Sequence, residues 1–118
     1  MSTDVAGLLH RNLLDVFNER DAERRAAAIA EVYAEDVIWH EPDRVIRGRR
    51  ALAERAADLQ AEMPDWVFRP AGPASVNDDL GHLGFLLGPP DAPPVVTGMD
   101  IAHCRDGVIV DLYTFVAQ

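Results

Sequence analysis

Lysine is missing altogether from the 118-residue chain, whose eleven basic residues are all arginine, and cysteine occurs once. Without lysine there is no amine for Schiff-base chemistry or for a lysine phosphate clamp. A single thiol, Cys104, excludes an internal disulfide and a four-thiolate zinc site. No apolar run reaches the ~18–20 residues that a membrane helix needs. The opening MSTDVAGLLHRNLL is also too polar for a secretory leader. A cytoplasmic protein without membrane contact is the expectation. Positive charge is scarce: 20 Asp and Glu face 11 Arg, for a formal net charge of −9. Such a surface repels a phosphate backbone, so general nucleic-acid binding is not expected. One local exception, Arg47-Gly48-Arg49-Arg50, reads either as a solvated turn paired with Asp43 and Glu54 or as an anion grip at a helix start.

What is present suits one packed domain spanning residues 1–118. With 48% apolar residues, a chain this long buries roughly two-thirds of its unfolded surface. Val5, Leu9, Leu13 and Val16 recur at helical spacing, with Leu8 and Phe17 beside them. Asp21 is placed to cap a second helix bearing Ala26, Ile29, Ala30 and Tyr33 on one stripe. The period changes in Glu35-Asp36-Val37-Ile38-Trp39-His40-Glu41, which predicts a strand stopped by Pro42. A third helix follows Gly48, with Leu52, Ala56, Leu59 and Met63 inward. Strands are predicted from Trp66 to Arg69, from about His82 to Leu87, and from Val95 to Cys104. Asp106-Gly107 then predicts a hairpin turn, with Val108 to Val116 returning. Three helices ahead of several antiparallel strands make an α+β fold.

Two acids stand where the pattern expects apolar residues. Alternation puts Glu41 on the face of Val37 and Trp39, so it faces the interior if Trp39 does. A carboxylate at the mouth of an apolar pocket can accept a proton; at a solvated strand end it is ordinary. Asp100 shares a face with Gly98, Ala102 and Cys104, small side chains that leave room for a ligand. Buried there, it would favour its neutral form, a hydrogen-bond donor; on an exposed face it would be unremarkable. His40 and His103 fall on the opposite faces from these acids, and His10 and His82 lie elsewhere. No metal site is therefore expected. No nucleotide loop, Ser-His-Asp spacing or other cofactor motif is present.

Three landmarks together resemble the SnoaL-like polyketide cyclase and ketosteroid isomerase branch of the nuclear transport factor 2-like superfamily. They are Val32-Tyr33-Ala34-Glu35-Asp36-Val37-Ile38-Trp39-His40-Glu41-Pro42, Gly48-Arg49, and Gly98-Met99-Asp100 followed by Arg105-Asp106-Gly107-Val108-Ile109. The resemblance implies a cone-shaped barrel, with three N-terminal helices packed on a curved, mainly antiparallel sheet. Ketosteroid isomerases carry a catalytic carboxylate just before a proline on the first strand, where Glu41-Pro42 stands. They carry a protonated Asp, a donor to the oxyanion, on the strand before the last hairpin, where Asp100 stands. Their helix tyrosine falls near Asn12 or Leu13 here, so the phenol is missing and an amide hydrogen bond from Asn12 would be the weaker substitute. Gly98 stands where a limonene-epoxide-hydrolase-like site would need Arg.

The expected site is an apolar pocket lined by Trp39, Leu83, Phe85, Ala102, Leu112 and Val116, with Asn12 nearby. Glu41 would be the base and Asp100 the acid or oxyanion donor. The expected activity is isomerisation or aldol-type cyclisation of a small hydrophobic carbonyl compound, without cofactor. The competing expectation is a non-catalytic binding or assembly module of the same fold. A homodimer is expected through the outer sheet face, where alternation gathers Ile38, Ile101, Ile109 and Phe115 with His40, His103 and Tyr113.

Overall fold

The computed structural model describes residues 3–117. Helix α1 (Val5–Arg11) is capped by the Asp4 carboxylate, which accepts from the Gly7 amide. It runs on into a wider π-helical turn over Asn12–Phe17, where the Asn18 amide reaches back to Leu13. That turn points Asn12, Leu13, Val16 and Phe17 into the interior. Helix α2 (Ala22–Val32) starts at Asp21, whose side chain accepts from the Arg24 amide. Tyr33, expected on the stripe of α2, instead takes an extended conformation and opens strand β1 (Tyr33–Glu41). A short strand β2 (Arg44–Arg47) folds back on β1, and helix α3 spans Arg49–Glu62. Strands β3 (Val67–Pro70), β4 (Ser75–Asn77), β5 (Leu80–Gly88), β6 (Val96–Arg105) and β7 (Val108–Val116) complete the chain.

The strands form one curved, open sheet in the order β2-β1-β7-β6-β5-β3, with β4 also paired to β5. Only β1 and β7 run parallel. The three helices pack on this sheet, so the fold class is the one the sequence implies, with the sheet left open rather than closed into a barrel. The β6–β7 turn forms at Asp106 and Gly107, both at positive φ (54° and 84°), as a two-residue hairpin of this handedness requires. Strands β2 and β4 lack the alternating apolar pattern that would have marked them; both are largely exposed, and Ile46 of β2 packs against the core.

One face assignment is corrected. A bulge lies beside the hairpin: His103 pairs with Asp111 but Cys104 with Ile109. The extra residue reverses the alternation, so Ile109 is fully buried in the core and leaves the outer face. Ile38 and Ile101 are half-buried, and Tyr113 and Phe115 stand exposed. Among the described residues no helix is long and apolar enough to cross a membrane.

Two arginines of the cluster before α3 have partners within the protein. Arg49 donates to the Tyr33 and Ala30 carbonyls at the end of α2, and Arg50 pairs with Glu54 at 3.4 Å. Asp43 pairs with Arg44 instead.

Candidate functional site

Between the concave face of the sheet and the α3 side of the helical layer lies a cavity of about 490 Å3. Its wall is mostly aromatic and aliphatic. Trp39, Phe17, Phe68 and Phe85 follow one another in edge-to-face contact, with centroids 5.0, 6.0 and 5.4 Å apart. Gly98 makes room for this arrangement, because a Cβ there would lie 2.4 Å from the Phe85 ring and 2.3 Å from the Phe115 carbonyl. Leu59 and Met63 reach the same cavity from α3.

Among the polar side chains of the wall are the two acids singled out from the sequence, and their surroundings differ. Sheet register places both. Asp100 on β6 pairs with Thr114 on β7, and Glu41 on β1 lies one step beyond the His40–Tyr113 pair, beside Thr114. Glu41, Thr114 and Asp100 thus form a row across three strands, with the two acids about 10 Å apart at the backbone.

Asp100 is 4% exposed and has only donors around it. Asn12 Nδ2 donates to one carboxyl oxygen at 3.0 Å, and the Thr114 hydroxyl donates to the other at 2.7 Å. Behind these stand two further donors: the Tyr33 hydroxyl on Asn12 Oδ1, and Trp39 Nε1 on Thr114 Oγ1 at 3.0 Å. Burial pushes the Asp100 carboxyl up to about 7, against the opposing pull of the Thr114 and Asn12 hydrogen bonds. Burial, and then the nearby Asp100 carboxyl, also hold the Tyr33 phenol well above its ordinary value, so it remains a donor. A carboxyl balanced in this way can take up a proton and give it back near neutral pH.

Glu41 is arranged differently. Arg55, on the α3 face that also carries Leu52 and Leu59, grips both of its oxygens, through Nε at 2.9 Å and Nη2 at 3.2 Å. The Glu41 and Arg55 side chains are 9% and 14% exposed, and both line the cavity. Arg44 adds a second positive group at 3.8 Å. Both Glu41 oxygens are therefore tied up by a charged partner, whereas the Asp100 oxygens accept from neutral donors only.

The structure brings Trp39, Phe85, Val116, Glu41 and Asp100 to one cavity. Asn12 is buried behind Asp100 rather than at the wall. Leu83, Ala102 and Leu112, expected at the wall, lie in the packed core instead, because α1 and α2 cover that part of the sheet. Sequence reasoning did not single out Thr114, Tyr33 or Arg55 as members of the site. Thr114 was legible as a polar residue on the apolar phase of Leu112 and Val116. Arg55 carried no such signal on an otherwise polar helix. Among the described residues, no three His, Cys, Asp or Glu side chains are arranged to hold a metal ion.

A curved open sheet with helices across a cavity and a buried acid defines a known class of small α+β domain. A SnoaL-like domain model matches residues 10–112, and the chain belongs to that family. Solved structures agree on the fold. A proposed isomerase of the SnoaL-like family from Agrobacterium tumefaciens superposes with a TM-score of 0.88 at 22% identity, covering 97% of this chain and 98% of that one. A proposed polyketide cyclase, IdmH from Streptomyces antibioticus, gives 0.74 at 20% identity over 96% and 91% of the two chains. A proposed ketosteroid isomerase from Kribbella flavida gives 0.73 at 21%, over 97% and 78%. No curated protein matches the chain.

Proposed function

We propose that the protein catalyses cofactor-independent proton transfer on a small hydrophobic carbonyl compound, leading to isomerisation or aldol-type ring closure. One observation carries this reading: a buried carboxyl, near neutral in its proton affinity, lies on an apolar cavity and is held by two protein donors. In the ionised form Asp100 takes a proton from the carbon next to the substrate carbonyl. The C–H electron pair moves into an enolate. The protonated Asp100 then returns the proton to a different carbon, which completes an isomerisation. For ring closure, the enolate carbon instead attacks a second carbonyl carbon, and the new alkoxide takes the proton from Asp100. Asn12 and Thr114 hold the carboxyl in place through both halves. The Thr114 oxygen, which receives the Trp39 N–H, has a second lone pair to accept from the protonated acid.

This reading gives Asp100 the role of base as well as acid, and removes the base role from Glu41. The similarity to proposed cyclases and isomerases supports the fold that carries it. The test needs no knowledge of the natural substrate. Hydrogen–deuterium exchange next to the carbonyl of 2-acetonaphthone, followed by NMR in heavy water, should be accelerated by the protein. Asp100→Asn should lower that acceleration roughly a hundredfold or more. Binding of the ketone with no acceleration would leave a binding module in its place.

A further inference from the structure

Each polar side chain of the cavity wall except one has its hydrogen bonds made within the protein. Asp100 is held by Asn12 and Thr114, Thr114 by Trp39, Glu41 by Arg55, and Asp43 by Arg44. The exception is Arg55. Its Nε and Nη2 are used on Glu41, which leaves Nη1 with no partner among the described residues. We infer that Arg55 Nη1 is the donor that receives the substrate's oxygen, with Glu41 as the positioning residue that aims it, and that this oxygen belongs to a neutral group. The inference deepens the proton-transfer reading given above and rests on it for the identity of the oxygen.

The chemistry is complementary. Proton uptake by Asp100 moves one negative charge onto the substrate oxygen, and an enolate needs a donor already in place to receive that charge. A guanidinium donates and never accepts, so its partner must be an acceptor, which in the proton-transfer reading is the carbonyl oxygen and then the enolate. Arg55 comes from α3 and Asp100 from the sheet, and both line the same cavity, so proton acceptor and oxygen donor are separate groups at one bound molecule. The bidentate grip of Glu41 fixes the plane of the guanidinium and so the direction of the remaining N–H groups.

Charge then selects the ligand class. Glu41 offsets the charge of Arg55, and Asp43 that of Arg44 just outside the wall, which leaves the ionised Asp100 as the unmatched charge facing the cavity. A free carboxylate would meet this negative charge, whereas a ketone or ester meets one directed donor with no net cost in charge. The site therefore fits neutral carbonyl compounds and disfavours carboxylic acids of the same shape.

Three probes of one shape test this at pH 8: 2-acetonaphthone, 2-isopropenylnaphthalene without the oxygen, and 2-naphthoate, each measured by equilibrium dialysis. The wild-type protein should bind the ketone about tenfold more tightly than the hydrocarbon, the effect of one hydrogen bond to a charged donor. It should bind the naphthoate more weakly than the ketone. Arg55→Met should bring the ketone and the hydrocarbon within about twofold of each other, the affinity expected of matched apolar shape alone. The double variant Glu41→Gln/Arg55→Met, which leaves no unpaired carboxylate, should do the same if the single variant fails to fold. Glu41→Gln alone leaves the Arg55 charge unopposed and should shift preference toward the naphthoate, a change that a purely structural Glu41 would not produce. A ketone-to-hydrocarbon ratio unchanged in the Arg55 variants overturns the inference, as does a naphthoate affinity unmoved by Glu41→Gln. These ratios are read without turnover. A protein whose exchange activity depends on Asp100 but whose ratios ignore Arg55 would sink this inference and leave the proton-transfer reading intact.

Discussion

Burial and hydrogen bonding pull the Asp100 carboxyl in opposite directions, and burial wins. Its proton affinity rises from an ordinary 3.8 to about 7. The sign of the linked stability follows. The folded state holds this proton more tightly than the unfolded chain, so the penalty is absent below pH 4. It grows between 4 and 7 and is complete above 7, where it amounts to roughly 4 kcal/mol. Asp100→Asn has no such charge to bury. The stability of that variant relative to wild type should improve by roughly 3–4 kcal/mol between pH 4 and pH 8, as read from urea midpoints at each pH. Tyr33 is a second residue whose role is measurable. Tyr33→Phe leaves the buried Asn12 oxygen without its donor and should cost about 1–3 kcal/mol in the same assay. A loss near zero would mean that the Tyr33–Asn12–Asp100 chain is not a connected unit.

Elements explain why one acid became a buried titrating group and the other an ion pair. Glu41 and Asp100 occupy the same row of the same sheet face, yet α3 brings Arg55 over the first while the π-helical turn brings Asn12 over the second. Alternation along β1 and β6 was enough to place both acids inward. It could not say which helix residue would face them, because helix packing is set by tertiary fit rather than by strand period. The same limit applies to Leu83, Ala102 and Leu112. Their inward phase was legible, but whether helix or cavity covers them was not. Ile109 failed for a different reason, since a bulge shifts the phase without any local mark in the sequence. Where β6 and β7 meet, Gly98 offers a direct test of the packing that shapes the cavity. Gly98→Ala forces its methyl group against the Phe115 carbonyl and the Phe85 ring, and should destabilise the fold by about 1–3 kcal/mol in urea unfolding.

At the scale of the whole molecule, the helices cover one face of the sheet and leave the other bare. Met99, Tyr113 and Phe115 are exposed on that outer face, and the His40 ring stacks flat on Tyr113 with centroids 4.1 Å apart. We propose that a second copy of the chain covers this surface, since Met99, Tyr113 and Phe115 are costly to leave together in water. Sedimentation at micromolar concentration should give a species of twice the 13.0 kDa chain mass. The pair Tyr113→Asp and Phe115→Asp should return it to the monomer, whereas a wild-type monomer would refute the proposal. The fold as a whole was the most legible feature of the chain. The Asp21 cap, the Asp106-Gly107 turn and the change from helical to alternating period all point to one α+β architecture, although the last shifts at its boundary, where Tyr33 joins β1.

In the proposed reaction one buried carboxyl, balanced near neutrality, carries the proton in this cavity. Carbon-13 NMR titration of the Asp100 carboxyl measures that balance directly. A midpoint close to 7 is expected, matched by an exchange rate on 2-acetonaphthone that rises with pH and levels off above the same value, because only the ionised form accepts a proton. A midpoint at or below ~4, the value of a solvated aspartate, would show that Asp100 is not the buried proton carrier and would contradict the account.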